Sequence, residues 1–313
     1  MFAFLLRRLL STVPVLIIVA LIVFFMLRLA PGDPAAAIVG NSGTSADIEL
    51  VRAGLGLNDA LPIQFARWVG ELVQGDFGES YFMKMSVAKL IGQRIEPTVS
   101  LAAVTLIMAV LIAVPLGVLA AWRHGGWLDR ALMGFSVLGF SIPAFVIGYV
   151  LIWLFSLHWQ LLPVQGYARF ENGLGPWFKH LILPSIALSI IYVALIARVT
   201  RAAVAESMTE DYIRTARAKG ISEARVLIRH GLSNAAVPIV TVIGIGVALL
   251  IGGVVVTETV FAIPGLGQLT VDAVLSRDFP LIQGIILFFS VIYVFINLLV
   301  DLSYLLFDPR IRY

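Results

Sequence analysis

Two carboxylates beside long apolar runs are the clearest residues in this chain that could do chemistry. Glu258 follows one run and Asp301 follows another, with Asn297 one helical turn before Asp301. Because charge at membrane depth is costly, acids there are functional suspects, and these three residues are candidates for a solute pathway or gate. The alternative is structural, since Asp301 stands close enough to a predicted membrane interface to pair with Arg7 or Arg8.

Ser141 and Pro143 are further pathway or gate candidates, because they place a hydroxyl and a helix breaker inside an apolar run. Proline removes a backbone donor and disfavours the preceding helical turn. Such a bend either takes part in gating or only shapes the packing, and both interpretations remain open. Isolated serines in such runs bond more often to backbone than to a solute.

Several common chemistries have no matching residues. The chain has no Cys, which excludes disulfides, thiolate nucleophiles and thiolate metal sites. The sequence contains neither the Gly-x-x-x-x-Gly-Lys-Ser/Thr phosphate-binding loop nor a His-Glu-x-x-His zinc motif. The histidines, His124, His158, His180 and His230, fall in predicted loops or at the ends of apolar runs. We therefore predict no catalytic residue, no metal site and no cofactor bound by this chain.

The elements that must position these residues are membrane helices. Of the 313 residues 60% are apolar and 13% are charged, and the mean hydropathy is +0.98. Six runs contain no Asp, Glu, Lys or Arg, and each is long enough to cross a bilayer as a helix. The runs are Leu9–Leu27, Thr98–Ala121, Leu132–Leu157, Leu181–Ala197, Ala235–Thr257 and Leu281–Val300. The predicted fold class is an all-α polytopic membrane protein, and a soluble enzyme is excluded.

The basic residues are distributed unequally over the loops. Those on one side are Arg7, Arg8, Arg123, Arg130, Arg198, Arg201, Arg214, Arg217, Lys219, Arg225, Arg229, Arg310 and Arg312. The short loops opposite carry only Arg169, Lys179 and Arg277. Because cytoplasmic loops are enriched in Lys and Arg, both termini are predicted to be cytoplasmic.

Chain order predicts three parts. Residues 1–30 hold the N-terminus and the first transmembrane helix, residues 31–97 form an external insertion, and residues 98–313 form a core of five transmembrane helices. The insertion is too long for a structureless connector, and the apolar spacing in residues 48–55 and 63–73 favours helices. The first apolar run exceeds the usual core of a signal peptide, which argues against cleavage.

A polar stretch within the core, residues 201–234, has the pattern of two short helices joined at a glycine. Thr209 is predicted to cap the first helix and Gly220 to end it, while Ser222 caps the second and Gly231 ends it. Apolar positions alternate with basic ones, so one surface of the pair needs cover. The cover is either a protein partner or anionic lipid.

Motifs along the whole chain resemble those of ATP-binding-cassette (ABC) importer permeases, most closely the dipeptide, oligopeptide, glutathione and nickel branch. The strongest is the run from Asp211 to Gly220, DYIRTARAKG, followed by His230, Asn234 and Pro238. The others are Arg7-Arg8, Pro31-Gly32-Asp33-Pro34, Leu55-Gly56-Leu57, Gly75-Asp76-Phe77-Gly78, Glu258-x-x-Phe261-x-x-Pro264-Gly265-x-Gly267 and Asp308-Pro309-Arg310. The general family pattern has Glu-Ala-Ala before the glycine, whereas this chain has Arg214-Thr215-Ala216, a departure that fits the peptide branch.

The resemblance implies a type I ABC importer permease fold with six transmembrane helices, a cytoplasmic coupling helix and a helical periplasmic insertion. It implies a location in the bacterial inner membrane, without a nucleic-acid partner. The expected partners are a second homologous permease chain, two cytoplasmic ATPase subunits that bind ATP and Mg, and a periplasmic solute-binding protein. The same resemblance assigns coupling to the ATPase to Tyr212, Ala216, Lys219, Gly220 and His230.

The implied function is to form half of the translocation pathway of such an importer, with di- and oligopeptides as the favoured cargo. Glutathione, a nickel chelate or another small solute stays open, because much of the selectivity in these systems lies in the binding protein. A secondary transporter without ATPase partners is the alternative from a different class. It is less favoured, since neither inverted repeats nor several intramembrane charges stand out.

Overall fold

The computed structural model describes residues 2–29, 34–39, 44–54 and 56–307. The motif residues Pro31-Gly32-Asp33, Leu55 and Asp308-Pro309-Arg310 lie outside the described residues, and so do the side chains of Arg7 and Arg8. The suggested pairing of Asp301 with Arg7 or Arg8 therefore stays a prediction.

The described residues are helical almost throughout. In chain order the α-helices are α1 (Phe2–Leu29), α2 (Pro34–Val39), α3 (Ser45–Gly54), α4 (Leu61–Val73), α5 (Val87–Trp122), α6 (Trp127–Ser141), α7 (Ala144–Leu151), α8 (Leu174–Ser207), α9 (Asp211–Ala218), α10 (Glu223–Arg225), α11 (Ala236–Val260), α12 (Leu266–Ser276) and α13 (Phe279–Phe307). Two π-helical turns, Ile152–His158 and Val226–Leu232, continue α7 and α10. Extended pairing within these residues is limited to one bridge between Glu79 and Ser86.

Four of the described helices are long and apolar enough to cross a membrane, namely α5, α8, α11 and the Phe279–Ser303 part of α13. Each contains one of the predicted charge-free runs, except that Ala235 precedes α11 by one residue. In lipid such runs become helices because every backbone group must be satisfied within the segment. The first run has a shorter apolar stretch, Leu10–Met26, within α1. The predicted all-helical class with several apolar spans is confirmed.

The third predicted run is not one straight helix, because α6 and α7 meet at an angle of 97°. Ile142 between them is extended, with φ −98° and ψ 119°, and Pro143 follows at the N-cap of α7. Proline disfavours the helical region for its predecessor and offers no donor, which favours the end of the helix at Ser141, although α5 and α8 continue through prolines.

The chain divides into two compact units. The first, here called the bundle unit, has residues 96–268 and 295–307 among its described residues. It is built around α8, which packs against α6, α7 and α11. The most apolar stretch of α8 is 67% buried, which makes α8 the central helix of this unit. Its fully buried large side chains are Leu101, Leu181, Leu183, Leu188, Ile196, Ile213, Leu250, Ile263 and Leu266.

The second unit, here called the N-terminal unit, comprises residues 2–95 and 269–294. Its helices α3 and α4 lie where the apolar spacing predicts them. Thr44 and Asp47 cap the start of α3 reciprocally, since the Asp47 carboxylate accepts the Thr44 N–H and hydroxyl while the Asp47 N–H donates to the Thr44 hydroxyl oxygen. The hydrogen bonds from Thr44 hold the pKa of Asp47 below its ordinary value.

Candidate functional site

The segment predicted to couple to an ATPase is a bent pair of helices, defined here as residues 211–232, that follows the end of α8. Gly220 forms the bend with φ +76°. Its N–H donates to the Arg217 carbonyl at 2.9 Å, and the Ile221 N–H donates to the Ala216 carbonyl at 3.3 Å. This is a Schellman end, which favours glycine because other residues are strained there. The predicted end of the first helix at Gly220 is confirmed.

Of the other predicted caps, Ser222 has the predicted position, whereas Thr209 and Gly231 do not. Glu210 occupies the N-cap of α9, and the Thr209 hydroxyl instead donates to the Glu206 carbonyl at the end of α8. Ser222 is at the N-cap of α10, but its side chain makes no capping hydrogen bond. Gly231 does not end the second helix, because it lies inside the π-helical turn and helical residues follow it. A methyl group at Gly231 would lie 2.9 Å from the Met208 sulfur, so close packing explains this glycine.

The inner surface of the bent pair is packed against the chain itself. Ile213, Ala216 and Val226 are buried together, with Met208 and Ile221 against them. Ala216 is only 6% exposed. Of the predicted coupling residues, Ala216 therefore belongs to the inner contact, and this contact fixes the bent pair to Met208 at the end of α8.

The outer surface of the bent pair is exposed. Tyr212, Lys219 and Gly220 lie on it, and His230 is half-buried. The Tyr212 hydroxyl hydrogen-bonds with the Ser207 hydroxyl at 2.7 Å, which orients an otherwise exposed ring. Ile228 is 61% exposed, an unusual position for a large apolar side chain among basic neighbours. These neighbours in sequence are Arg225 and Arg229. The surface can contact a partner through both charge and apolar area.

An ion pair spans the bend. The Arg217 guanidinium donates to both Glu223 oxygens, at 2.8 and 3.2 Å. These hydrogen bonds hold the pKa of Glu223 below its ordinary value and raise that of Arg217. Both side chains are about half exposed, so the pair adds little free energy of folding. Its effect is geometric, because a bidentate contact fixes the angle between the two helices.

A second ion pair joins α6 to α8 near the same end of the bundle unit. The Arg201 guanidinium donates to the two oxygens of Asp129 at 2.8 and 2.7 Å, and the Gly125 N–H donates to the same carboxylate. Asp129 is 4% exposed. Breaking a buried pair of this kind leaves an uncompensated charge, which is why it links the two helices firmly. A cavity lined by Trp122, His124, Glu206, Thr209 and Arg217 separates the bent pair from the end of α5.

Glu258, a predicted gate residue, is fully buried at the end of α11. Its carboxylate accepts the Thr98 hydroxyl at 2.6 Å and the Gln268 N–H at 3.0 Å. The Thr98 oxygen in turn accepts the Leu266 N–H. Glu258 therefore ties α5 and α11 to the first turn of α12, where a carboxylate is electrostatically favoured. This contact explains why position 265 is a glycine, because a methyl group there would overlap the Glu258 carboxylate.

The other gate candidates lie on different helices from Glu258, which is on α11. Ser141 ends α6, and its hydroxyl donates to the Val137 carbonyl, as serines in apolar helices commonly do. Pro143 starts α7 and is exposed. Asn297 and Asp301 both lie on α13. Among the described residues no three His, Asp or Glu side chains are grouped as they are in a metal site.

Two family profiles cover most of the chain. Residues 113–313 match the family described as binding-protein-dependent transport system inner membrane component. Residues 1–102 match the N-terminal region of membrane components of such systems. The chain belongs to this family. The predicted recognition as a permease is confirmed, and the permease is a membrane-embedded transport component.

Three similar proteins align with the permease over nearly its full length. A probable peptide ABC transporter permease of Sinorhizobium fredii is 53% identical over 310 residues, 99% of each chain. A glutathione transport system permease of Escherichia coli, GsiC, is 43% identical over 313 residues, 100% of each chain. A putative peptide transport system permease of Brucella abortus is 40% identical over 313 residues, again 100% of each chain.

The permease also resembles a chain of the MetNI methionine ABC transporter solved in an inward-facing conformation. The TM-score is 0.59 at 18% identity, and the match covers 70% of the permease and 96% of that chain. At this identity the likeness concerns the fold alone.

Sequence reasoning missed three polar contacts in the permease. Besides Asp129 and Arg201, buried Asp278 accepts the Ser80 hydroxyl and the Tyr81 N–H in the N-terminal unit. Glu96 accepts the Tyr167 hydroxyl at 3.0 Å and the Phe170 N–H at 2.9 Å in the bundle unit. The partners are 71 to 198 residues apart in sequence. Neither spacing nor residue type signals such pairs, although an acid flanking an apolar run is a weak indication.

Proposed function

We propose that this permease forms half of the translocation pathway of an ATP-driven, binding-protein-dependent peptide importer. The observation that carries the cargo class is the 53% identity, over 99% of both chains, with a probable peptide ABC transporter permease. Such identity over the full length favours a shared cargo class more than a shared fold alone would.

The proposed topology has six membrane crossings with both termini in the cytoplasm. In this topology α1, α5, the broken pair α6 and α7, α8, α11 and α13 are the crossings. The insertion between α1 and α5 is periplasmic, and the bent pair is cytoplasmic. The distribution of Lys and Arg supports this orientation, since the bent pair alone carries five of them.

The bent pair is the proposed coupling element. Its outer surface, with Tyr212, Lys219 and Gly220, docks on an ATPase subunit, and half-buried His230 flanks the contact. Its inner surface is packed through Ala216 onto Met208. A displacement imposed on the outer surface therefore passes to α8, because close-packed side chains transmit movement. Anionic lipid is the alternative cover for this surface.

The proposed complex contains a second homologous permease, two ATPase subunits and a periplasmic binding protein. ATP and Mg bind to the ATPase subunits and supply the free energy, while this chain supplies pathway and coupling. Ser141, Pro143, Asn297 and Asp301 remain proposed pathway or gate residues. Glu258 also remains a proposed pathway or gate residue, and we propose that its hydrogen bonds with Thr98 and Gln268 in addition support the junction of three helices.

The test compares two glycines with the same backbone conformation. Gly220 and Gly125 have φ +76° and +75°, and a methyl group would meet nothing within 4 Å at either. Valine is disfavoured at positive φ and keeps the backbone N–H. In purified complexes in nanodiscs, with binding protein and a dipeptide, Gly220→Val should abolish peptide-stimulated ATP hydrolysis, whereas Gly125→Val should retain it.

Membrane abundance and copurification of the ATPase serve as folding controls for both variants. Equal stimulation in Gly220→Val and wild type contradicts the coupling proposal. A permease that purifies without any ATPase supports the secondary-transporter alternative. Glutathione is the second candidate cargo because of the 43% identity with GsiC, and stimulation by glutathione but not by dipeptides would select it.

A further inference from the structure

The N-terminal unit contains a cavity of about 570 Å³ that none of the predicted site residues line. It is formed by the end of α1, by α3 and α4, by the loop before α5 and by the start of α13. Its volume falls within the range of about 300–1,000 Å³ that is typical of small-molecule sites.

One side of the cavity is a fixed aromatic and amide wall. Phe24 is 1% exposed and lies edge-on against Phe65, with a centroid distance of 5.1 Å, and 5.6 Å from the Trp68 ring. The amides of Gln64 and Gln283 also line the cavity and are more than nine-tenths buried. Backbone carbonyls hold both amides, those of Leu57 and Asp59 for Gln64 and that of Val23 for Gln283. A wall built this way changes little when a ligand enters.

The rim carries charges of both signs. The Arg67 guanidinium forms an ion pair with the Asp59 carboxylate at 2.6 Å, and the Asp76 carboxylate accepts the Gly78 N–H. Three other charged residues line the cavity, namely Lys84, Glu71 and Glu79. Within the described part of the chain, their side chains make no hydrogen bond or ion pair. One cation and two carboxylates thus face the same cavity.

The backbone at Lys84 is strained in a way that holds this residue in place. Its φ is +51°, which is uncommon for a residue other than glycine. The Lys84 N–H donates to the Ser80 carbonyl, and the Ser80 hydroxyl both donates to buried Asp278 and accepts the Met83 N–H. Strain of this kind persists only when the surroundings enforce it, and it clusters at ligand sites.

We propose that this cavity binds a short peptide with free termini. Lys84 pairs with the peptide's carboxylate, Glu71 and Glu79 receive its ammonium group, and an apolar side chain packs against Trp68. Charge-assisted hydrogen bonds to both termini would distinguish a free peptide from an internal segment of a protein. The proposal rests on the proposed peptide cargo and adds a cargo site outside the predicted pathway residues.

The experiment measures binding of alanyl-phenylalanine to the purified importer complex in nanodiscs without binding protein, by isothermal titration calorimetry. Lys84→Gln should weaken binding about tenfold, as expected for the loss of one charged partner. Lys84→Arg should restore most of it. Lys89→Gln is the matched control, since Lys89 is an exposed lysine that does not line the cavity.

A C-terminally amidated peptide separates this site from binding elsewhere in the complex. Amidation should weaken binding to the wild type about as much as Lys84→Gln does, and it should have no further effect on that variant. Additive effects of amidation and Lys84→Gln contradict the proposal, and so does the absence of binding. If Lys84→Gln instead reduces association of the binding protein and no dipeptide binding is observed, the cavity is a protein-docking site. That outcome also overturns the peptide-binding proposal.

Dipeptide uptake into proteoliposomes with binding protein present tests the proposed function separately. Uptake without direct binding rejects only the cavity site. If the wild-type importer shows neither dipeptide uptake nor direct dipeptide binding, the peptide cargo is rejected as well.

Discussion

A buried carboxylate needs donors, and Glu258 takes them from two other elements. The Thr98 hydroxyl comes from α5 and the Gln268 N–H from the first turn of α12, so one side chain joins three helices of the bundle unit. Gly265 and Gly267 leave room for this carboxylate, and a methyl group at Gly267 would lie 2.8 Å from it. Packing against the Glu258 carboxylate thus explains the two glycines of the motif, Gly265 and Gly267.

Gly265→Ala tests this interpretation at the residue scale. The added methyl group would overlap the Glu258 carboxylate, and overpacking of this kind costs about 1–3 kcal/mol. The thermal unfolding midpoint in detergent, followed by tryptophan fluorescence, should therefore fall. Gly252→Ala is the matched control, because nothing lies within 4 Å of a methyl group there. Equal midpoints for the two variants would count against the packing role.

At the scale of elements, α8 depends on the close approach of α5. A methyl group at Gly117 of α5 would lie 2.6 Å from the Ala197 carbonyl oxygen and 2.7 Å from the Thr200 Cβ, both on α8. Small residues permit such crossings in membranes, where apolar burial gives helices little reason to associate. The bent pair adjoins the end of α8, so the crossing of α5 and α8 supports the element that is proposed to carry coupling.

Gly117→Ala should separate these two helices. We expect a lower unfolding midpoint and reduced peptide-stimulated ATP hydrolysis, since the new methyl group meets backbone that cannot move aside. Gly92→Ala provides the comparison on the same helix. Gly92 has open space around it, and alanine favours a helix by about 1 kcal/mol over glycine. If Gly92→Ala lowered both quantities as much as Gly117→Ala, helix crossing would not be the cause.

For the whole molecule, the predictable features are those with a local cause. Long apolar runs without charge predict helices, because in lipid the backbone groups must be hydrogen-bonded within the segment. Gly220 predicts a bend, because few other residues tolerate its positive φ. The break before Pro143 has a local signal too, but its angle of 97° depends on packing. Asp129 with Arg201, and Ser80 with Asp278, could not be predicted, because these pairs exist only once distant helices have met. The cavity beside Lys84 has the same origin.

Membrane topology can be tested directly because the chain has no Cys, so a single introduced thiol reports only its own position. Ser45→Cys and Glu171→Cys place thiols at exposed positions on the proposed outer side, and His124→Cys and Ser222→Cys place them at exposed positions on the proposed inner side. A membrane-impermeant maleimide should label the first two in intact cells and the second two only after permeabilisation. This pattern follows from six crossings with both termini inside. Labelling of Ser222→Cys in intact cells would invert the orientation and remove the bent pair from contact with any cytoplasmic ATPase.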